Sequence, residues 1–335
     1  MAKQVTLDDV ARLSGVSTAT ASRAINGRPG VRDDVRERVR LIADSLGFRP
    51  NRAAQHLAGG RSGVIGLVIP TADLRIDPYG ASVTHAVGRA ANAADQGLML
   101  HLAADEPGGH VQRILRDGLI DGALVSAIGI GTAWIDELLA SDLPTLLIGT
   151  HPSRRDVDAV DVENFESSVV AVEHLFEQGC ARVGFIAGLL GRADARERLR
   201  GYRTAHERHG RLIDERLIAA GDFRRGSGSR CARELIEVGV DGIFASNDDM
   251  ALGALWAMAH LGVRVPDDVA VVGFDGTSAD EFLEISLTSV VQPFDAIADA
   301  AVHQLLTRVA DGPRAGLVLL PPELRIGGSS RRRAA

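Results

Sequence analysis

Two periodicities divide the chain. Over roughly the first fifty residues apolar positions recur at helical spacing, and from about residue 62 short apolar runs alternate with amphipathic stretches. In the first region Val10, Ala11 and Leu13 form one apolar face and Ala21, Ala24 and Ile25 a second, which predicts two short helices around a tight turn. Thr6 is placed to cap the first helix, with Asp8 and Asp9 in its first turn, where the helix dipole favours anions. Gly15 suits the turn, and Ser17 is placed to cap the second helix. A third helix follows, with Val35, Val39, Ile42 and Leu46 close to a 3.6-residue period and Gly47 placed to end it. The outward face of the second helix carries Thr18, Ala19, Ser22, Arg23 and Asn26, all small or hydrogen-bonding. A helix-turn-helix lays such a face in the major groove, its N-terminal end reaching base edges. A purely structural bundle shares the packing pattern but does not explain a polar, short-chained face almost free of acid.

Further along, apolar runs at Val64–Ile69, Leu98–Ala103, Ala123–Ser126, Thr145–Ile148, Val183–Ala187, Gly242–Ala245 and Val269–Phe274 read as strands. Helix-like stretches alternate with them, at Ser82–Ala94, Glu166–Gln178, Ala195–His209, Cys231–Val238 and Met250–Leu261. That alternation predicts parallel sheets covered by helices on both faces. Its extent predicts two such lobes with a cleft at the carboxyl ends of their strands. The expected fold is therefore a small all-α helix-turn-helix head on an α/β body of two doubly wound parallel-sheet lobes. Between them, Pro50 suits the start of a short helix that Gly59 and Gly60 stop. Such a helix is too short to be stable alone and should form only when supported.

Charge sharpens this division. The net charge of the whole chain is −7, yet residues 1–61 carry +5 and the remainder −12. A basic head attracts phosphates by counterion release, and an acidic body discourages non-specific adhesion. The two cysteines, Cys180 and Cys231, give no disulfide framework and suit a reducing compartment. The start, Met1 to Thr6, has no apolar signal core, and no apolar run approaches the ~20 residues of a membrane span, so a cytoplasmic location without membrane partners is expected. Catalysis is not expected. The ten histidines form no metal-binding pattern, Gly129-Ile-Gly131 is an incomplete dinucleotide fingerprint, and a phosphate loop is missing. Neither cofactor nor metal is predicted.

The head resembles the LacI/GalR family of bacterial repressors. Val5, Thr6, Asp9, Val10, Ala11, Gly15, Val16, Ser17, Thr20, Ser22, Arg23 and Asn26 match its helix-turn-helix pattern. The resemblance implies that Thr6, Ser17, Thr20, Ser22, Arg23 and Asn26 face DNA, and that Thr18 and Ala19 occupy the variable positions that choose the operator. The family's serine and threonine at the start of its third helix are replaced here by Arg32 and Val35, so two phosphate contacts are missing and Arg32 is the candidate to compensate. Asn51, Ala54 and Leu57 match the hinge helix, with Leu57 as the wedge that enters the minor groove. A plain linker with one leucine tucked against the body is the alternative there.

The body is similar to the family's two-lobed, periplasmic-binding-protein-like domain through Asp121-Gly-Ala, Gly184-Phe-Ile-Ala-Gly, Arg198-Leu-Arg-Gly-Tyr, Asn247-Asp-Asp-Met-Ala, Val271-Val-Gly-Phe-Asp and Val291-Gln-Pro. The resemblance implies an effector site of Arg198, Asn247, Asp249 and Asp275, polar groups suited to the hydroxyls of a sugar, with Tyr79, Phe223 and Phe294 as aromatic walls. Asp249 as a helix cap and Phe294 as a core residue remain open. The loops at Ala72–Asp77 and Asp105–Val111 depart from the family in length, which leaves first-lobe contacts least defined. The expected organisation is a head over residues 1–49, a hinge over 50–61 and a body over 62–335, with lobe 1 at about 62–162 and 292–321 and lobe 2 at about 163–291 plus the C-terminal segment. The expected function is sequence-specific repression by a homodimer on a pseudo-palindromic double-stranded DNA operator, controlled by a small-molecule effector that is a sugar. The alternatives are a sugar-binding protein without DNA function and a regulator answering to a non-sugar co-repressor. Residues 327–335 carry no leucine heptads, so no coiled-coil tetramer is expected.

Overall fold

The computed structural model describes residues 5–48, 61–70, 77–103, 118–126, 133–277 and 285–331. Asn51, Ala54 and Leu57 of the expected hinge, most of the Ala72–Asp77 loop, all of Asp105–Val111 and the Gly129–Gly131 stretch lie outside these residues. The chain separates into two compact units, Met1–Ser62 and Gly63–Ala335.

The first unit is built from three helices, α1 (Leu7–Ser14), α2 (Thr18–Ile25) and α3 (Asp33–Ser45). Their ends follow local chemistry. Thr6 Oγ1 accepts from the Asp9 backbone N–H at 3.3 Å while the Asp9 carboxylate accepts from the Thr6 N–H at 3.1 Å, a closed capping box. Gly15 takes φ +65°, which lets the chain leave α1 in the left-handed conformation. Ser17 Oγ accepts from the Thr20 N–H and starts α2. Val10, Ala11, Ala21, Ala24, Val39 and Ala43 are buried at the centre. Leu13, expected on the inner face of α1, instead lies 51% exposed, and Ser14 is buried. The reason is angular: one residue turns the helix by 100°, and the inner stripe runs through Val10, Ala11 and Ser14 at three- and four-residue steps.

The second unit is α/β. Its strands are β1 (Val64–Pro70), β2 (Gly97–Ala103), β3 (Gly122–Ser126), β4 (Thr145–Ile148), β5 (Ala159–Val162), β6 (Val183–Ala187), β7 (Ile218–Ala220), β8 (Gly242–Ala245), β9 (Ala270–Asp275), β10 (Thr288–Val291), β11 (Leu317–Leu320) and β12 (Glu323–Arg325). Its helices are α4 (Pro78–Ala93), α5 (Ala133–Leu139), α6 (Asn164–Glu177), α7 (Ala193–Arg208), α8 (Arg225–Val238), α9 (Asp248–Leu261) and α10 (Phe294–Val309). One sheet runs β11-β5-β4-β3-β1-β2 and is parallel throughout; the other runs β12-β10-β9-β8-β6-β7 and is parallel except for β12 at its edge. Strands such as β3, β6 and β8 are buried along their whole length, as strands covered on both faces must be. The chain passes between the sheets three times: after β5, after β10, and through Pro321-Pro322 between β11 and β12.

Within each sheet the first five strands in chain order lie as 2-1-3-4-5, the doubly wound order that opens a crevice at the carboxyl ends of the strands. Helix α8 begins at Arg225, six residues before the expected start at Cys231, and takes in Gly226 and Gly228. Gly228 is there for proximity to α9: a Cβ built on it would lie 2.1 Å from the Met250 carbonyl oxygen. Among the described residues no helix is long and apolar enough to cross a membrane. Cys180 and Cys231 are buried and form no disulfide.

Candidate functional site

Two arrangements could carry function, one in each unit. In the first, Ser17, Thr18, Ala19, Arg23 and Asn26 are exposed along α2, with Thr20 and Ser22 half-buried beside them. Asn26 Nδ2 donates to Ser22 Oγ at 3.3 Å, and Thr18 Oγ1 donates to Asp8 Oδ1 at 2.8 Å. The guanidinium of Arg32 grips Asp34 through two bonds of 3.1 and 2.7 Å, with both side chains mostly exposed. An exposed pair of this kind is worth little, so Arg32 can exchange Asp34 for a phosphate at small cost.

In the second unit, polar side chains converge where the strands of both sheets end. Arg198, from α7, is 3% exposed. Its Nε donates to Asn164 Oδ1 at 2.9 Å, its Nη1 donates to the Ser246 carbonyl oxygen and lies 3.6 Å from Asp275 Oδ1, and its guanidinium stacks 3.6 Å above the Phe274 ring. Gln292, just past β10, donates to Asp275 Oδ1 at 2.7 Å. On the other side Asn164 Nδ2 donates to Asp161 Oδ1 at 3.1 Å, and Thr150 donates to Asp161 Oδ2 at 2.7 Å. One relay therefore joins the end of β5, both neighbouring crossovers and the end of β9. Burial pushes Asp275 well above the ordinary carboxylate range; Arg198 opposes that shift and the Asp248 charge adds to it. Burial likewise raises Asp161, against its hydrogen bonds from Thr150 and Val162.

Arg192 and Asp194, ahead of and within the first turn of α7, form a half-buried bidentate pair at 3.0 and 2.7 Å. Burial alone would raise Asp194, but the charge and hydrogen bonds of Arg192 outweigh it and hold the carboxyl down to about 2. The Arg192 guanidinium also sits 4.9 Å from the centroid of the Phe223 ring. Phe223 adopts φ +68°, and its ring covers Gly188 so closely that a Cβ there would come within 2.1 Å. Tyr79 meets Phe294 edge-on at 5.7 Å. Tyr79, Ile148, Gly149, Thr150, Asp161, Arg192, Asp194, Arg198 and Gln292 together enclose a cavity of about 20 Å3, room for about one water molecule.

Of the expected effector residues, Arg198 and Asp275 thus stand together and Tyr79 lines the same cavity. Asn247 caps α9 through Met250 N–H and donates to the Phe223 carbonyl oxygen at 3.0 Å, so it positions the aromatic loop. Asp249 is taken up by Arg225, from which it accepts three bonds of 2.9 to 3.1 Å, one of them capping α8. It caps the neighbouring helix, and its carboxylate is committed there. Its neighbour Asp248 is the buried one: it accepts from Ser289 Oγ at 2.6 Å and from Thr277 N–H at 2.9 Å. Asp161, Asn164, Arg192, Asp194, Asp248 and Gln292 were not among the expected site residues. Only Gln292 and Asp248 had a signal, in the Val291-Gln-Pro and Asn247-Asp-Asp-Met stretches.

Burial raises Asp248 from an ordinary value of 3.8 to about 7. Between those values the folded chain holds a proton that the unfolded chain has released. Stability from this group is therefore full at the acid end and declines as pH rises from about 4 to 7. Asp248→Asn mimics the protonated form and is expected to flatten that part of the stability profile, measured by urea unfolding across the same range. An unchanged slope would count against the assignment. Among the described residues no cluster of three or more histidine, cysteine or carboxylate side chains is placed to hold a metal.

A model of the bacterial regulatory proteins of the lacI family matches residues 6–51, and one of the periplasmic binding protein-like domain matches residues 172–330. The HTH-type transcriptional regulator CelR of Thermobifida fusca is 33% identical over 317 residues, 92% of each chain. The HTH-type transcriptional repressor PurR of Haemophilus influenzae (strain PittEE) is 30% identical over 310 residues, 91% of each chain. Among solved structures, a CelR–cellobiose complex superposes with a TM-score of 0.74 at 31% identity, covering 97% of this chain and 100% of that one. The Lac repressor dimer bound to operator and the anti-inducer ONPF gives 0.83 at 26% identity, covering 98% and 99%. These relatives are transcriptional regulators and not enzymes. With a helix-turn-helix head, a two-sheet body and this similarity over nine-tenths of its length, the chain belongs to the LacI family of bacterial transcriptional regulators.

Proposed function

We propose that the chain is a cytoplasmic repressor that works as a homodimer on a pseudo-palindromic operator and releases it when a sugar binds between the lobes of the body. The observation that carries this is the convergence of Arg192, Asp194, Arg198 and Gln292 on one cavity at the strand ends of both sheets, with Asp275 held beside it by Gln292 and 3.6 Å from Arg198. Carboxylates, an amide and guanidinium groups at close quarters make charge-assisted bonds to neighbouring hydroxyls, and Phe223 supplies an apolar plate. Support comes from the relative solved with cellobiose.

The cavity holds about one water, so a pyranose requires the lobes to part and close again around it. The ligand acts only through a difference in affinity between the two arrangements. In the dimer that difference would shift the first lobes and unpair the hinge helices, withdrawing Leu57 from the minor groove. The DNA contacts are assigned to Thr6, Ser17, Thr18, Ala19, Thr20, Ser22, Arg23, Asn26 and Arg32 in the head, and to Asn51, Ala54 and Leu57 in the hinge. Fluorescence anisotropy of full-length protein on a selected operator, repeated against a panel of mono- and disaccharides, tests the assignment. One sugar is expected to weaken binding by about 5- to 150-fold, the usual range of coupling between two sites. A sugar that tightens binding would make the ligand a co-repressor, and no response to any sugar would end the sugar assignment.

A further inference from the structure

One hydrogen bond on the DNA-reading face reaches between the two helices of the helix-turn-helix: the one from Thr18 Oγ1 to Asp8 Oδ1, at 2.8 Å between exposed side chains ten residues apart. Thr18 is the first residue of α2, the end that approaches base edges in this architecture. A free threonine hydroxyl meets a base edge as donor or as acceptor, and so discriminates little between them. A hydroxyl whose single proton is committed to a carboxylate can only accept. The surrounding groups leave that pairing undisturbed. Ser17 and Thr20 bond each other at 2.9 Å, and Asp9 is occupied by Thr6 and Arg12. Thr18 is the hydrogen-bond partner that Asp8 has among the described residues.

We infer that Asp8 is a specificity-determining residue: by holding the Thr18 proton it turns Thr18 into an acceptor and selects a base that offers an exocyclic amine, adenine N6 or cytosine N4, over guanine or thymine. The inference rests on α2 being the DNA-reading helix. Asp8 acts through Thr18 and is a positioning residue. Its negative charge near the phosphates is a separate effect that weakens binding to every sequence alike. The two effects can therefore be told apart. Loss of the charge changes affinity uniformly, while loss of the hydrogen bond changes preference at one base pair.

The test is selection of a randomised operator half-site by the full-length protein, read by sequencing and followed by anisotropy on individual sites. Wild type is expected to favour adenine or cytosine at one position on the order of fivefold, the worth of one net hydrogen bond. Asp8→Ala is expected to bring that preference within about twofold while strengthening binding to all half-sites. Thr18→Val should erase the same preference, and Thr18→Ser should keep it. None of the three substitutions removes an atom of the Thr6–Asp9 capping box, and circular dichroism of the purified proteins checks that the head is folded. The inference is overturned if Asp8→Ala changes affinity evenly and leaves every positional preference in place. A guanine or thymine preference that depends on Thr18 overturns it too. A wild-type chain that selects no sequence overturns the DNA-reading assignment and the inference with it.

Discussion

Arg198→Ala is expected to cost the body about 3–5 kcal/mol of stability and to abolish its response to effector. The side chain is almost fully buried, and its removal strands several groups at once. Asn164 Oδ1 and the Ser246 carbonyl oxygen lose their donors, Asp275 loses its cation, and the Phe274 ring loses its cover. A buried acceptor left without a partner costs about 1–3 kcal/mol, and a buried carboxylate costs more unless it takes up a proton. Arg198→Lys is expected to recover little, because a single ammonium cannot hold three directions in one plane. Arg198→Met keeps most of the buried stem and separates lost volume from lost charge. Urea unfolding of the three variants, paired with titration of the ligand found on the wild type, gives the measurement. A loss below about 1 kcal/mol in Arg198→Ala would show that the relay is not a structural keystone.

Gly253→Ala is expected to destabilise the body by about 3 kcal/mol, at the upper end of overpacking effects. A Cβ on Gly253 would fall 2.0 Å from the Arg225 carbonyl oxygen and 2.9 Å from the Ser229 nitrogen. Both are backbone atoms of α8, so no side-chain rotation relieves the clash and the helices must move apart. That movement would drag the start of α9, where Asn247 holds Phe223 and Asp249 holds Arg225. Ligand affinity should therefore fall together with stability. Gly226→Ala is the matched control. It lies in the first turn of the same helix α8, nothing comes within 4 Å of its built Cβ, and alanine there should be neutral or stabilising by up to about 1 kcal/mol. Thermal unfolding of the two variants compares them directly, and equal midpoints would refute the packing argument.

Much of the head was legible because its determinants are local. Thr6, Asp9, Gly15 and Ser17 act within four residues of their own positions, so spacing alone reveals them. Leu13 was misjudged because an eight-residue helix offers too few apolar residues to fix which side of the stripe faces inward. The body's alternation was legible for the same reason as its burial: strands covered on both faces read as continuous apolar runs. The cleft was legible only in part. Arg198 and Asp275 lie in recognisable stretches, but Asp161, Asn164, Arg192 and Asp194 are ordinary polar residues that acquire meaning when two sheets bring their strand ends together. Asp248 and Asp249 show the limit most clearly. They are adjacent and chemically identical, yet the helix turns one towards Ser289 and Thr277 and the other towards Arg225. No local pattern separates them.

The triple passage of the chain between the sheets also fixes the order in which the protein can become complete on the ribosome. Helix α10 packs against β3 and β4, with Leu305 beside Gly122, and the outer strand β11 arrives only with residues 317–320. The first lobe therefore keeps an open apolar face until β11 has emerged, and the second waits for β12. The head, contiguous in sequence and ahead of both lobes, is finished long before either. At about 5–20 residues per second, the interval spans many seconds in which a nascent chain carries a folded head and an unfinished sensor. A message truncated after β10 would encode such a molecule permanently, with the head intact and neither lobe whole.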